Sequence, residues 1–338
     1  HKKSFCVLFL GLSDPDAIFP LQKTKDMNSD DIILSTVFFS QVGIGFIGNF
    51  FLISLCIFIF LGGHKLRPID TILIQLALAN CLALLCKGIP QTMVVMGIKN
   101  FLDIIGCRVT LYFQRVARSL SVSLTCLLSA FQAITISPNK SSLANLKAKA
   151  PKYIIPFSLL CWTFHLLLHV LIPIGMVYPK YNKNITEIQH YGYCSHLVPS
   201  RFRAFLYAFV LSFPDAVFMG FMLFSSGYMM FLLYRHHKQA KQIHITCITT
   251  RASPETKATK TILIIVSTFV SFYSLDCFFV AYMSFVKISP ELMHTSAFVV
   301  SCFPVISSYT LIFSDSQILK FCCIIWRSKS SHFDTLKV

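Results

Sequence analysis

The chain has 338 residues, of which 55% are hydrophobic and 13% charged, and its mean hydropathy is +0.66. It is too apolar to cover the surface of the two soluble domains, of about 150 residues each, that its length would otherwise suggest. The net charge of +16 does not indicate nucleic acid as a partner, because Lys and Arg form short clusters between apolar runs rather than one basic face. The composition therefore predicts an integral membrane protein.

Seven apolar runs are each long enough to cross a bilayer. A hydrocarbon core about 30 Å thick needs a helix of ~20 residues, in which every backbone N–H is bonded within the segment. Only Lys87 interrupts the second run, and the fourth has Pro156 and Pro173 near its ends, where a break in the helix costs least. The connecting loops are short, so the sequence predicts an all-α protein, a single bundle of antiparallel neighbours. The predicted spans are residues 32–61, 71–98, 107–137, 153–177, 205–234, 261–283 and 293–313.

The basic residues in the loops predict how the bundle is inserted. Sixteen Lys and Arg residues lie in the loops after spans one, three and five and in the segment after span seven, whereas the opposite loops and the mouth of span three carry seven. The side richer in Lys and Arg is usually cytoplasmic. We therefore expect an extracellular N-terminal segment (1–31), a transmembrane domain (32–313) and a cytoplasmic tail (314–338) in a multi-pass protein of the plasma membrane.

Two N-glycosylation sequons provide a chemical test of this orientation. Asn184 begins one of them, in the long loop after span four, which is predicted to be outside, so we expect Asn184 to be glycosylated. Asn139 begins the other, in a loop predicted to be cytoplasmic, and it should stay unmodified.

The 13 cysteines suggest one disulfide and one lipidation site. Most lie within spans, where a free cysteine usually acts as a small buried apolar side chain. Cys107, at the mouth of span three, and Cys194, in the loop before span five, are both expected on the oxidising side of the membrane, and a disulfide between them would hold that loop across the outer mouth of the bundle. Cys322 and Cys323 lie in a stretch typical of a short amphipathic helix on the inner leaflet, and they are candidates for palmitoylation.

The first residues raise a separate question. They begin HKKSFCVLFLGL, with the basic start and apolar core of a signal peptide, but no clear small-residue cleavage site follows. Met27 stands just before the first span. We therefore interpret residues 1–26 as an upstream extension, with Met27 as the start of the protein.

Three stretches in different spans resemble those of the vomeronasal type-1 receptors, the pheromone-sensing G-protein-coupled receptors. They are HKLRPIDTILIQLALAN (64–80), RVARSLSVSLTCLLSAFQAITISP (115–138) and KATKTILIIVSTFVSFYSLD (257–276), and the resemblance extends from about Met27 to the end of the chain. It implies a receptor that binds a small-molecule pheromone from outside and activates a heterotrimeric G protein of the inhibitory class, without a cofactor.

The chain also lacks three motifs of the large rhodopsin-like class of receptors. Asn80 stands where that class usually has Asp, the third span ends in Ala-Ile-Thr-Ile-Ser rather than an acid-Arg-aromatic triplet, and Pro304 does not follow an Asn. Bitter-taste receptors also lack these switches, so a bitter-taste-type receptor is an alternative. A transporter is a second alternative, but it should show inverted halves with broken helices at matching positions, and the uninterrupted first span offers no such pairing.

Two arginines at membrane depth are the main candidates for a functional site. Arg115 and Arg118 are three residues apart and share one face of the third helix. An ionised side chain at this depth costs roughly 2.5–3.5 kcal/mol on insertion scales and usually faces the bundle interior, so Asp215 in span five and Asp276 in span six are the expected partners. For Arg118 the alternative is an ion pair that only fixes helix packing. Arg115 is the candidate that would bind a carboxylate or sulfate of the ligand through a bidentate pair.

Other polar and aromatic residues add weaker signals. Tyr112 and Phe279 are candidate walls of a ligand cavity, although such aromatics are more often ordinary core or lipid-facing residues. His165 and His169 have the i, i+4 spacing of two zinc ligands, but no third ligand or general base is nearby in the sequence. Packing or an interhelical hydrogen bond is the expected role of this pair, and we predict neither a metal site nor enzymatic activity.

Overall fold

The structure is a computed structural model that describes residues 29–63, 67–98, 101–138, 144–172, 188–190, 195–197, 201–243, 254–285 and 290–314. Within these ranges, seven helical spans are long and apolar enough to cross a membrane, as the sequence predicts. The spans are Ser29–Leu61; Pro68–Ala83 continued by a π-helical turn, Leu84–Gly88, and by Ile89–Val95; Ile104–Ile136; Ala144–His169; Arg201–Ile243; Pro254–Phe285; and Pro290–Ser314.

The helix ends differ from the predicted spans in a consistent way. The fourth helix begins at Ala144 and the sixth at Pro254, seven to nine residues before the predicted starts at 153 and 261. Hydropathy detects only the part of a helix that lies in hydrocarbon, whereas polar residues can continue the same helix beyond it. The predicted last residues of span four, 173–177, lie outside the described residues.

The third span begins at a well-defined cap. Asp103 has an extended backbone, and its carboxylate accepts a hydrogen bond from the N–H of Gly106 at 2.6 Å. Asp is among the best residues at this position because its oxygen satisfies an otherwise unpaired N–H of the first turn. Cys107 follows within that turn, so we call the two ends of the bundle the Cys107 end and, where the same helix stops, the Ser137 end.

The third span forms the centre of the bundle. It packs against spans two, four, five and six, and about two thirds of its most apolar segment is buried. Leu120, Leu124 and Leu128 are fully buried along one face of it. By contrast, spans four and five expose large apolar side chains such as Leu167 and Phe224, as expected when lipid rather than water surrounds the protein.

A buried polar cluster joins the first, second and seventh spans. Asn49 donates from its Nδ2 to the carbonyl oxygens of Gly45 (2.8 Å) and Pro304 (2.9 Å). Asn80 donates to Asn49 Oδ1 at 3.2 Å and to Ser307 Oγ at 3.0 Å. The carbonyl of Pro304 thus accepts a hydrogen bond from a neighbouring helix, which links span one to span seven.

A short hairpin lies in the long loop between spans four and five. Strands β1 (Ile188–His190) and β2 (Ser195–Leu197) are antiparallel, with Ile188 opposite Leu197 and His190 opposite Ser195. The sequence analysis predicts only a loop here and therefore misses this element, because three-residue strands carry too little alternation to detect.

Candidate functional site

Arg118 is held by three groups of the sixth span, one of which is Cys277, whose Sγ lies 3.8 Å from Arg118 Nη2. Its guanidinium forms an ion pair with Asp276, and its Cζ lies 4.6 Å from the centre of the Tyr273 ring. The Asp276 side chain is 5% exposed, so the pair is shielded on the aspartate side, whereas the Arg118 side chain keeps 23% of its surface accessible. Of the two aspartates that the sequence suggests, Asp276 is therefore the partner of Arg118. The pair links spans three and six.

Asp215 belongs to a hydrogen-bonded chain across three spans. Ser119 Oγ donates to Asp215 Oδ2 at 3.1 Å and lies 3.2 Å from His169 Nε2, and His169 Nδ1 donates to the backbone oxygen of His165 at 2.9 Å. Because a carbonyl oxygen only accepts, His169 Nδ1 carries the proton in its contact with His165, and the Ser119 hydroxyl bridges the imidazole and the carboxylate.

The histidine pair has the packing and hydrogen-bonding role that the sequence analysis expects. His165 is fully buried beside Phe164 and Phe218, with ring centres 5.1 and 5.8 Å away. His169 makes the interhelical contact to Ser119. In the part of the chain that the structure describes, no cluster of three or more potential metal ligands is found.

The Ser119, His169 and Asp215 arrangement is not that of a serine hydrolase. In a catalytic triad the imidazole stands between the hydroxyl and the carboxylate, so that it can accept the hydroxyl proton. Here the hydroxyl stands between the imidazole and the carboxylate, and all three residues are buried. The arrangement ties spans three, four and five together instead of activating a nucleophile.

Arg115 differs from Arg118 in having no carboxylate partner among the described residues. Its side chain is exposed, and within the described ranges it forms no ion pair or hydrogen bond. It nevertheless interacts electrostatically with Asp215, His169 and Lys87, which lie on three other spans. The guanidinium therefore lies near the charged and polar side chains of spans two, four and five.

Lys87 is part of the same charged region. In the sequence it is apparent only as a charged residue that interrupts the second apolar run. It lies in the π-helical turn Leu84–Gly88 and interacts electrostatically with Asp276, Arg118 and Arg115. The sequence does indicate that the helix is irregular here, through Pro90. Pro90 has no N–H to donate and would clash with the carbonyl four residues earlier in a regular helix, and a π-turn relieves this clash.

The two predicted aromatic walls lie in different surroundings. Tyr112 donates its hydroxyl to the backbone oxygen of Leu166 at 2.8 Å and borders a crevice of about 410 Å³ between spans three and four. It therefore bridges two helices, and its role as a wall of the ligand site stays a prediction. Phe279 is half-buried, one turn beyond Asp276, and packs edge-on against Phe278 with ring centres 6.0 Å apart. Phe279 thus stays a candidate wall.

The predicted modification sites are mostly outside the described residues. Cys107 is engaged in a disulfide, but Cys194 is outside those ranges, so their pairing stays a prediction. Asn184, Cys322 and Cys323 are outside them as well, so their modification also stays a prediction.

The fold and the charged interior define a multi-pass, seven-helix membrane protein. Residues 32–324 match the model of the vomeronasal organ pheromone receptor family, so the chain belongs to this family, which is a receptor family and not an enzyme family. Vomeronasal type-1 receptor 1 of Homo sapiens is 40% identical over 302 residues, which cover 89% of this chain and 85% of the human protein. Vomeronasal type-1 receptor 4 of Homo sapiens is 41% identical over 291 residues, covering 85% and 96%.

The similarity extends to a fish. Olfactory receptor class A-like protein 1 of Danio rerio is 32% identical over 283 residues, which cover 83% of this chain and 89% of the fish protein. These comparisons confirm the family resemblance that the three sequence stretches carry.

Proposed function

We propose that the chain is a plasma-membrane receptor that binds a small pheromone from the extracellular side and activates a heterotrimeric G protein of the inhibitory class. The N-terminal segment lies outside and the C-terminal tail inside, so the Cys107 end faces the ligand and the Ser137 end faces the G protein. The observation that carries the proposal is an accessible cationic side chain, Arg115, inside a seven-helix bundle of a pheromone receptor family.

The ligand site lies around Arg115. An exposed guanidinium without a carboxylate partner can bind a carboxylate or sulfate with two parallel hydrogen bonds, an arrangement that is stronger and more directional than a neutral hydrogen bond. Phe279 supplies an apolar wall near the Asp276 ion pair. The site would therefore favour ligands that carry one anionic group on an apolar body.

Activation follows from the links that hold the central helices. The ion pair between Arg118 and Asp276 joins spans three and six, and Ser119 joins span three to Asp215 in span five. A ligand at Arg115 changes the electrostatic field of both aspartates, because the three groups lie in one low-dielectric interior. The bound ligand can shift the equilibrium between two packings of these spans. The size of the shift is set by the difference between the ligand's binding free energies for the two packings.

The Ser137 end has contacts that such a shift would break. Ser137 Oγ lies 2.9 Å from the hydroxyl of Tyr228, and Gln132 donates to Thr259 Oγ1 at 3.1 Å. These bonds tie span three to spans five and six where the helices continue into basic segments. A G protein would bind this end once the three helices separate.

The test is a signalling assay in cells that express the receptor with or without an inhibitory G protein. Pools of volatile compounds, neutral steroids and sulfated steroids are applied, and cyclic AMP is measured in wild type, Arg115→Ala and the control Arg67→Ala. We expect ligand-dependent lowering of cyclic AMP only when the G protein is present. Anionic ligands should lose potency about tenfold or more in Arg115→Ala, because a charge-assisted hydrogen bond contributes about 1.5–3 kcal/mol.

Two outcomes would overturn the proposal. A transporter would accumulate a compound in the cells without any requirement for the G protein. Equal losses of potency for anionic and neutral ligands in Arg115→Ala would eliminate the anion-binding role of this residue.

A further inference from the structure

We propose that Lys87 is a second anion-binding residue, and that Lys87 and Arg115 together hold the charged group of a small amphiphilic sulfate, sulfonate or carboxylate. The inference rests on the proposed function, since it names the class of ligand for that site. It is carried by the geometry of the second span, by the absence of a partner for Lys87 among the residues that the structure describes, and by the charge balance of the interior.

The π-turn that contains Lys87 packs against both the first and the third span. Its contact with the first span is tight: a Cβ added at Gly88 would lie 2.5 Å from Val42 Cγ2, and one added at Gly45 would lie 2.7 Å from Leu84 Cδ1. Leu84 and Gly88 are buried at this contact. Lys87 is not buried there, and its electrostatic neighbours are Arg115 and Arg118 of span three and Asp276 of span six.

Lys87 forms no ion pair or hydrogen bond with any described residue, and its side chain is only partly buried. The carboxylate within its electrostatic reach, Asp276, is already paired with Arg118. An ammonium group deep in a bundle is costly unless a partner or water satisfies it. A structural lysine would be paired in the folded protein, so a lysine with no partner among the described residues indicates a group that receives its partner from outside.

The interior has an excess of positive charge. Among the described residues of this region, Lys87, Arg115 and Arg118 carry three positive charges, whereas Asp215 and Asp276 supply at most two negative charges. An anion entering this space is attracted by the whole cluster, and low dielectric strengthens the attraction. The Arg115 fork orients a planar or tetrahedral anion, and the Lys87 ammonium adds a point charge without a fixed geometry. The ligand class is therefore an anion with an apolar body, rather than a neutral or cationic molecule.

The experiment measures ligand-induced thermal stabilisation of the purified full chain in phosphatidylcholine nanodiscs, which contain no anionic lipid. The probes are 2-naphthyl sulfate, 2-naphthoate and neutral 2-naphthol, which share one apolar body. Lys87→Met, Lys87→Arg and the exposed-lysine control Lys149→Met are compared with wild type. A probe that binds the folded state raises its apparent stability according to concentration and Kd, so the shift reports affinity.

We expect the two anions to stabilise wild type and Lys149→Met more than 2-naphthol does. In Lys87→Met their Kd should rise about tenfold or more, with 2-naphthol unchanged, while Lys87→Arg keeps most of the preference. Without any probe, Lys87→Met should be at least as thermostable as wild type, because it removes an unpaired charge.

The opposite pattern would overturn the inference. If Lys87→Met is less stable than wild type without probe and still prefers anions, the role of Lys87 is structural. Anions that stabilise wild type no better than 2-naphthol would also contradict it. Repeating the series with phosphatidylglycerol in the discs shows whether a lipid headgroup competes for the site. Such competition would lower the apparent affinity of the probes only if the site binds anions. Because the assay contains no G protein, its result is independent of whether the receptor signals.

Discussion

Two arginine–aspartate pairs in the same chain differ in their surroundings. Arg118 and Asp276 pair inside the bundle, where Asp276 is 5% exposed. Arg67 and Asp70 pair 2.7 Å apart at the start of span two, where the Arg67 side chain is 37% exposed. Removing one member of a buried pair leaves an uncompensated charge, which is expensive, whereas an exposed pair contributes little. The two pairs therefore form a matched comparison.

We predict that Arg118→Met lowers the free energy of unfolding by about 3 kcal/mol, whereas Arg67→Met lowers it by less than about 1 kcal/mol. Asp70 keeps its bond from the Arg67 backbone N–H at 2.9 Å in the second variant, so its carboxylate is not orphaned. Thermal unfolding in nanodiscs measures both effects. The double variant Arg118→Met, Asp276→Leu should regain most of the loss, and a double variant as unstable as the sum of its parts would contradict the ion-pair account.

Part of the site could be predicted at the level of single residues. Ionised side chains in apolar spans are so few that Arg118 had only Asp215 and Asp276 as plausible partners. The choice between them depends on the rotation of spans five and six, which hydropathy does not determine. The Ser119 contacts were not predicted, because a serine in a helix usually bonds to its own backbone and gives no signal of an interhelical role.

At the scale of the helix, the main irregularity is the π-turn in span two, which contains Lys87. The seven spans could be predicted from length and apolarity, because the bilayer imposes both. The π-turn could not be located, since a five-residue change of helical pitch leaves composition unaltered. Pro90 indicates an irregularity nearby but not its type.

The contact between Gly88 and Val42 tests the packing of this turn. We predict that Gly88→Ala destabilises the protein by about 1–3 kcal/mol, because its Cβ would overlap Val42 Cγ2. Adding Val42→Ala, which removes that methyl group, should restore part of the stability. The control Gly43→Ala has nothing within 4 Å of the added Cβ and should be neutral or slightly stabilising.

Thermal unfolding of Gly88→Ala, the double variant, Gly43→Ala and Val42→Ala alone supplies the measurement. Two results would contradict this packing of the second span on the first. One is a Gly88→Ala variant that is as stable as Gly43→Ala. The other is a double variant whose loss of stability equals the sum of the losses in Gly88→Ala and Val42→Ala.

For the whole molecule, the central claim is that lipid surrounds the bundle and that its charged interior opens toward the outside at the Cys107 end. Span three supplies two positions that separate this claim from a closed core. Arg115 is exposed beside the interior charges, and Thr125, ten residues further along the same helix, is fully buried. A side chain facing an outward-opening chamber is within reach of a water-soluble reagent, whereas a core position is not.

The most direct test is labelling of Arg115→Cys by a membrane-impermeant thiol reagent, with Thr125→Cys as control and the native cysteines of the wild type as background. We predict that Arg115→Cys is labelled above background in intact cells and not in inside-out vesicles, and that Thr125→Cys is labelled in neither. Labelling of Arg115→Cys only from the cytoplasmic face, or from neither face, would contradict the account.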